Sequence, residues 1–150
     1  MNQGALSISV VEGGDDAGNK VILDGLRAFN EAHLGRSARQ VPVSVFVRDE
    51  KGNVMGGLIG QMLFEWLYIE KLWLPESLRG TGLGSDVMES AERYAVERGC
   101  RWAHLQTLEH QALPFYEQRG YTIYGVLDGY PPGSRRYHLR KTLVADQPSV

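Results

Sequence analysis

The sequence of 150 residues contains only one cysteine, Cys100. It also has no block of basic residues and no long apolar run. A single cysteine cannot form a disulfide within the chain. Lysine and arginine are scattered, and the formal net charge is -2, so there is no electrostatic footprint for nucleic acid or for an anionic membrane surface. We therefore expect no nucleic-acid partner and no membrane partner.

What the sequence does contain is typical of a globular protein. Hydrophobic residues make up 43% of the chain and charged residues 23%. A chain of this length can bury one core, so we predict a single domain over residues 1–150. Residues 1–16 are polar and acidic, without the basic start and apolar centre of a signal peptide, and we expect a cytoplasmic protein.

Hydrophobic periodicity predicts seven strands and three helices. Strands are predicted over residues 6–10, 43–48, 54–63, 67–74, 102–108, 121–127 and 136–143. Helices are predicted over residues 19–34, 82–98 and 114–119. The strand at 102–108 should run parallel to that at 67–74, because a helix connects them. Three glycines within the strand at 54–63 indicate either a bulge or a close backbone approach, and the pattern does not distinguish the two.

A glycine-rich turn follows the apolar run at Leu72, Trp73 and Leu74. Glycines at alternate positions, 80, 82 and 84, bring backbone N–H groups close to a ligand, and the helix that follows adds its positive end, which together suit a pyrophosphate. The turn lacks the lysine that a Walker loop needs to bind a terminal phosphate. Nor does it match Gly-x-Gly-x-x-Gly, because the third glycine comes one residue early. A nucleotide-binding domain of either kind is therefore disfavoured.

The turn does fit Arg-x-x-Gly-x-Gly, with Arg79, Gly82 and Gly84 at the constrained positions. A second stretch, residues 112–121, contains Ala112, Phe115 and Tyr116 in the pattern Asn-x-x-Ala-x-x-Phe-Tyr. Together these stretches resemble the GNAT superfamily of acetyl-CoA-dependent N-acetyltransferases. The resemblance implies an α/β (α+β) fold, the GNAT acyl-CoA N-acyltransferase fold, with a central mixed, mostly antiparallel twisted sheet of about seven strands flanked by helices.

The resemblance also implies how acetyl-CoA is held, and it implies no metal. Main-chain groups of Leu72, Trp73 and Leu74 would bind the pantetheine arm, and Arg79 would add charge. The N–H groups that would bind the pyrophosphate are those of Gly80, Thr81, Gly82, Leu83, Gly84 and Ser85. The alternative is a tight turn whose glycines only permit close packing of helix and sheet.

Two residues are candidates for the chemistry. By analogy with the family, Tyr116 would protonate the leaving thiolate, although it could instead be a buried aromatic residue beside Phe115. Glu70 is the first candidate for the base that deprotonates the amine, and in a regular strand it would share a face with Tyr68, Leu72 and Leu74. A solvated Glu70 paired with Lys71 is the alternative, and His110 is the second candidate base. Glu109 replaces the usual asparagine, which puts one polar contact to the cofactor arm in doubt.

These residues predict transfer of an acetyl group to a primary amine, by direct attack in a ternary complex, because no Cys-His-acid set is present. A small-molecule acceptor is expected. Trp66, Tyr68, Tyr124, Tyr130 and Asp128 are candidates for a pocket that suits a cationic or aromatic amine. Residues 130–133 are a candidate rim of that pocket or a homodimer contact. A non-catalytic CoA-binding sensor is the alternative function.

Overall fold

The computed structural model describes residues 4–145, which belong to two compact units, one ending at Arg39 and one beginning at Gln40. The first unit contains helix α1, Asp16–Leu34. Its start is fixed by the Asp15 side chain, which accepts a hydrogen bond from the N–H of Ala17. Its end is fixed by Gly35, whose φ of 67° is left-handed. The predicted helix over 19–34 is confirmed, and this cap adds three residues to it.

The predicted strand over residues 6–10 is wrong. These residues have no regular secondary structure, and the sheet contains six strands rather than seven. Alternation of Leu6, Ile8 and Val10 satisfies the period of a strand, but a strand also needs a neighbour for its backbone groups. All six strands of the sheet come from the second unit, and none of them pairs with this segment.

The second unit is a mixed sheet with helices in its connections. The strand order is β1-β2-β3-β4-β6-β5, and only the β3–β4 pair is parallel. The strands are β1, Val41–Arg48, β2, Val54–Leu63, β3, Trp66–Trp73, β4, Trp102–Leu108, β5, Thr122–Asp128, and β6, Arg135–Thr142. The helices are α2, Leu83–Glu97, and α3, Leu113–Gln118. The predicted mostly antiparallel sheet and the parallel pair around α2 are thus confirmed.

The core of this unit lies between the sheet and α2. Val87, Met88, Ala91 and Ala95 recur at helical spacing on α2 and are buried. They form one apolar cluster with strand residues that are almost completely inaccessible, namely Leu58, Leu67, Ile69, Leu105 and Leu139. No helix within residues 4–145 is long and apolar enough to cross a membrane.

The glycines of β2 have both of the roles that their pattern left open. The β2–β3 register shifts between Ile59 and Gly60, which is a bulge. A Cβ atom on Gly60 would lie 2.5 Å from the carbonyl oxygen of Tyr68, and one on Gly57 would lie 1.9 Å from that of Val45. Only glycine allows these close approaches, of β2 to β3 at Gly60 and of β2 to β1 at Gly57.

Candidate active site

Strands β3 and β4 diverge halfway along their length. Their parallel pairing runs from Trp66 opposite Trp102 to Ile69 opposite Leu105 and stops there. At the same point Lys71 pairs with Ile59 of β2 while Ile69 pairs with Gly60, so Glu70 has no partner in β2. The bulge and the divergence open a cleft of about 910 Å³ between the far halves of the two strands.

The cleft brings together most of the residues predicted for cofactor binding and catalysis. Its lining includes Glu70, Leu72, Trp73, Leu74, Arg79, Gly80, Gly82, Gly84, Ser85, His110 and Tyr116. Thr81 and Leu83 lie within the same turn but are not part of this lining. The Thr81 hydroxyl instead donates a hydrogen bond of 2.6 Å to the carbonyl of Leu78, which closes the turn.

The three glycines of the turn have two different roles. Gly80 and Gly82 have φ angles of 74° and 87°, which favour glycine. Gly84 lies in the first turn of α2, where a Cβ atom would come within 3.2 Å of the Phe115 ring. Close packing against α3 therefore explains Gly84, whereas backbone conformation explains the other two. Gly82 is the N-cap residue of α2 and has no side chain, so it offers no side-chain hydrogen bond to the first N–H groups of the helix.

Arginines stabilise the turn from two sides. The Nε of Arg79 donates a hydrogen bond of 3.0 Å to the carbonyl of Leu74, which joins the turn to the end of β3. Arg119 lies with its guanidinium carbon 3.8 Å from the centre of the Phe115 ring, and one of its Nη atoms donates to the Ser85 hydroxyl oxygen. Arg119 therefore places a positive charge beside the glycine turn.

Arg119 is the functional candidate that the sequence did not reveal. Its other Nη donates a hydrogen bond of 2.9 Å to the carbonyl of Phe115. Its Nε is buried and has no hydrogen-bond partner among residues 4–145. A basic residue three positions after Tyr116 was visible, but nothing in the sequence indicated that it would reach back to Ser85.

Tyr116 is buried, with 7% of its surface exposed, and still lines the cleft. Its ring makes edge contacts with Phe115 and Tyr121, at centroid distances of 5.2 and 6.1 Å. Burial raises the pKa of Tyr116 to about 12. The hydroxyl is therefore protonated at neutral pH, as a proton donor must be.

Glu70 is exposed at the bulge of β3 and borders the cleft. The expected face shared with Leu72 is wrong, because the bulge makes the strand irregular beyond Glu70. The bulge turns Leu72 toward the core, where Leu67 and Ile69 also pack. Within residues 4–145 no ion pair joins Glu70 to Lys71. His110 is exposed at the rim of the same cleft.

The aromatic residues predicted to form one acceptor pocket lie in two places. Trp66, Tyr68 and Tyr124 line a second cavity of about 480 Å³, whereas Tyr130 lines the cleft. Asp128 borders neither, and its carboxylate forms an ion pair of 2.9 Å with Arg135. The expectation of a single pocket containing a carboxylate is therefore wrong.

Two further side chains limit the chemistry. Cys100 is buried outside the cleft, and burial together with the charge of Glu65 raises the pKa of its thiol, so it is no activated nucleophile. Glu109, at the position where asparagine was expected, accepts a hydrogen bond of 3.3 Å from Ser134. In the part of the chain that is described, no three His, Cys, Asp or Glu residues cluster as metal ligands would.

Comparison with known proteins agrees with this geometry. The model of the acetyltransferase (GNAT) family matches residues 22–121. Acetyltransferase Atu2258 of Agrobacterium fabrum is 35% identical over 127 residues, covering 85% of this chain and 92% of that protein. Blasticidin-S acetyltransferase of Streptomyces morookaense is 34% identical over 118 residues, covering 72% of this chain and 87% of that protein.

Solved structures give the same result. The crystal structure of an acetyltransferase from Bacillus cereus superposes with a TM-score of 0.77 at 32% identity, covering 89% of this chain and 97% of that one. The region that the family model matches contains the diverging strands, the glycine turn and Tyr116. The chain therefore belongs to the acetyltransferase (GNAT) family, whose members are acetyl-CoA-dependent enzymes.

Proposed function

We propose that the chain transfers the acetyl group of acetyl-CoA to a primary amine of a small molecule, by direct attack while both substrates are bound. The observation that carries the proposal is the cleft itself, which is bordered by the glycine turn, Glu70 and Tyr116 together. A small-molecule acceptor is further supported by the similarity to blasticidin-S acetyltransferase.

One end of the cleft fits a pyrophosphate. The first N–H groups of α2 have no side-chain cap, and the positive end of a 15-residue helix dipole lies there. Arg119 also lines the cleft and adds the positive charge of its guanidinium. An anion with several oxygen atoms would bind these N–H groups and be attracted by the arginine charge, and charge-assisted hydrogen bonds are among the stronger ones in proteins.

The middle of the cleft fits an extended amide-containing arm. Beyond Ile69, β3 has lost its partner β4, while the segment Leu72, Trp73 and Leu74 borders the cleft. Main-chain groups on that side of β3 are available to hydrogen-bond a ligand in the way that a neighbouring strand would. We infer that the pantetheine arm occupies this position.

The bound thioester supplies an activated acetyl group and a thiolate leaving group. An alkylammonium has a pKa of about 10.4, so its proton must be removed before the nitrogen can attack. Glu70 accepts that proton, with His110 as the alternative base. The nitrogen then bonds to the acetyl carbon as the carbon–sulfur bond breaks, and it loses its second proton to solvent. Tyr116 donates its proton to the sulfur and regains one from solvent, and Glu70 releases to solvent the proton that it took from the ammonium.

The glycine turn provides the first test. In Gly82→Val the new Cβ atom meets no atom within 4 Å, but the φ of 87° is strained for valine, so the backbone of the binding turn should shift. We expect calorimetric titration with acetyl-CoA to show saturable binding to the wild type and none to this variant. ATP and NAD should not bind to either.

Gly52→Val is the matched control, because Gly52 has a φ of 84° and equally open surroundings in the turn between β1 and β2. It should bind acetyl-CoA as the wild type does. Absence of acetyl-CoA binding in the wild type would contradict the proposal, and equal loss in both variants would contradict the role of the turn. The homodimer, the cytoplasmic location and the single-domain organisation stay predictions.

A further inference from the structure

The second cavity lies on the sheet beside the paired half of β3 and has aromatic walls. Tyr68 stacks on His104 with a centroid distance of 4.6 Å and an interplanar angle of 14°. Trp66 meets the same imidazole edge-on at 5.5 Å. Tyr124 contributes a third ring to the lining. Walls of this kind favour a planar ligand, because aromatic rings pack best against flat groups in stacked or edge-on arrangements.

Among residues 4–145, Arg140 is the only formally charged residue in this lining. Its guanidinium carbon lies 5.2 Å from the centre of the Trp66 ring, and no carboxylate within residues 4–145 forms an ion pair with it. Burial and the neighbouring His138 lower the pKa of His104, so the imidazole is neutral at physiological pH. The cavity therefore carries a fixed positive charge, opposite to the carboxylate that the sequence suggested.

The cavity and the cleft share a wall. The Tyr68 hydroxyl, on the side of the cavity, donates a hydrogen bond of 3.4 Å to the Oε1 of Gln106, which lines the cleft. Glu70 follows Tyr68 by two residues, at the bulge of β3.

We propose that the acceptor is a planar primary amine with an anionic group, such as a carboxylate, at the end remote from the amine. The planar part lies against Trp66 and Tyr68, the anionic group binds Arg140, and the amine extends past Tyr68 toward Glu70. This inference rests on the proposed acetyl transfer, and it adds the class of acceptor.

The test compares two probes that differ in the anionic group, 4-(aminomethyl)benzoate and benzylamine. Their binding is followed by tryptophan fluorescence, and their acetylation by release of the CoA thiol. We expect the wild type to bind the carboxylate probe about tenfold more tightly, the usual scale of a hydrogen bond to a charged group. The same preference should appear in kcat/KM.

Variants assign the preference to a residue. Arg140→Gln should bind the two probes equally, whereas Arg140→Lys should keep part of the difference. Arg48→Gln is the matched control, because Arg48 also lies over an aromatic ring, that of Phe46 at 5.1 Å, but on the edge strand β1. It should keep the full preference.

Equal affinities in the wild type, a preference that survives in Arg140→Gln, or no fluorescence response to either probe would overturn the inference. Failure of the proposed function gives a different result. In that case the carboxylate probe would still bind more tightly, but neither probe would release thiol. If both probes are acetylated equally well, acetyl transfer holds and the acceptor class is wrong.

Discussion

Between Trp66 and Ile69, β3 has a hydrogen-bonded strand on each side, whereas beyond Glu70 only β2 pairs with it. The paired half places Leu67 and Ile69 in the core, at 0% and 2% exposure. The diverging half exposes Glu70 and leaves Trp73 59% exposed. One strand thus divides into a half that stabilises the sheet and a half that borders the cleft.

The difference shows where this sheet can bind an extended substrate. Two adjacent strands satisfy each other's main-chain groups, so a ligand can use those groups only where the pairing stops. The bulge at Glu70 marks the point at which it stops. The candidate base lies at that junction, and the glycine turn follows at the end of the diverging half.

The two halves of β3 should differ most in the unfolding free energy that is lost when an apolar side chain is removed. Leu67→Ala creates a cavity beneath the paired half, and substitutions of this type usually cost about 2–5 kcal/mol of unfolding free energy. Trp73→Ala, in the diverging half, removes a mostly exposed side chain and should cost less than about 1 kcal/mol. Chemical denaturation followed by circular dichroism measures both. Similar losses for the two variants would contradict the division of β3.

Tyr116→Phe should produce the next largest effect, on catalysis rather than on folding. Loss of a positioned general acid typically lowers the rate by about 100-fold or more. We expect kcat to fall by that factor while calorimetry shows unchanged affinity for acetyl-CoA. Because burial raises the pKa of Tyr116 to about 12, ionisation of this tyrosine should not lower kcat of the wild type between pH 7 and 10.

Tyr121→Phe is a close control for this experiment. Tyr121 is also buried, and its ring centroid lies 6.1 Å from that of Tyr116. Its hydroxyl, however, donates a hydrogen bond of 2.9 Å to the Oε1 of Glu92, outside the cleft. Loss of the Tyr121 hydroxyl should lower the free energy of unfolding and leave kcat within a few-fold of the wild type. Equal losses of kcat in the two variants would mean that the aromatic cluster, not the Tyr116 hydroxyl, supports transfer.

The sequence predicted the elements of the sheet better than it predicted their irregularities. Periodicity located β4 at Trp102–Leu108 without error, because its alternate residues are buried. It could not predict that β3 would bulge at Glu70, since a bulge depends on register against β2. It predicted a strand at residues 6–10, where no partner exists.

The same distinction applies to the site. The glycine turn and Tyr116 could be found because their motifs are local in sequence. The contact between Arg119 and Ser85 joins residues 34 positions apart, and packing of Phe115 against Gly84 brings them together. Arg140 lies opposite His104 only through the pairing of β6 with β4. Contacts of this kind follow from the fold and leave no local signal.

The smallest effect is expected from substitution of Arg119, which should change only the affinity for acetyl-CoA. Arg119→Gln removes the charge proposed to face the pyrophosphate and keeps a polar side chain at this position. We expect affinity for acetyl-CoA to fall by about tenfold, with kcat at saturation unchanged, since charge-assisted hydrogen bonds are roughly twice as strong as neutral ones. The affinity of the wild type should also decrease more steeply with salt than that of the variant.

Arg98→Gln controls for the loss of an arginine that lies over a ring. Arg98 is at the other end of α2, with its guanidinium carbon 4.9 Å from the centre of the Tyr94 ring. Its replacement should leave both affinity and salt dependence unchanged, whereas Arg119→Lys should restore most of the affinity. If Arg119→Lys binds as weakly as Arg119→Gln, the role of Arg119 is to hold Ser85 and Phe115 in place, and the anion is bound by the first N–H groups of α2 alone, beyond the end of the diverging half of β3.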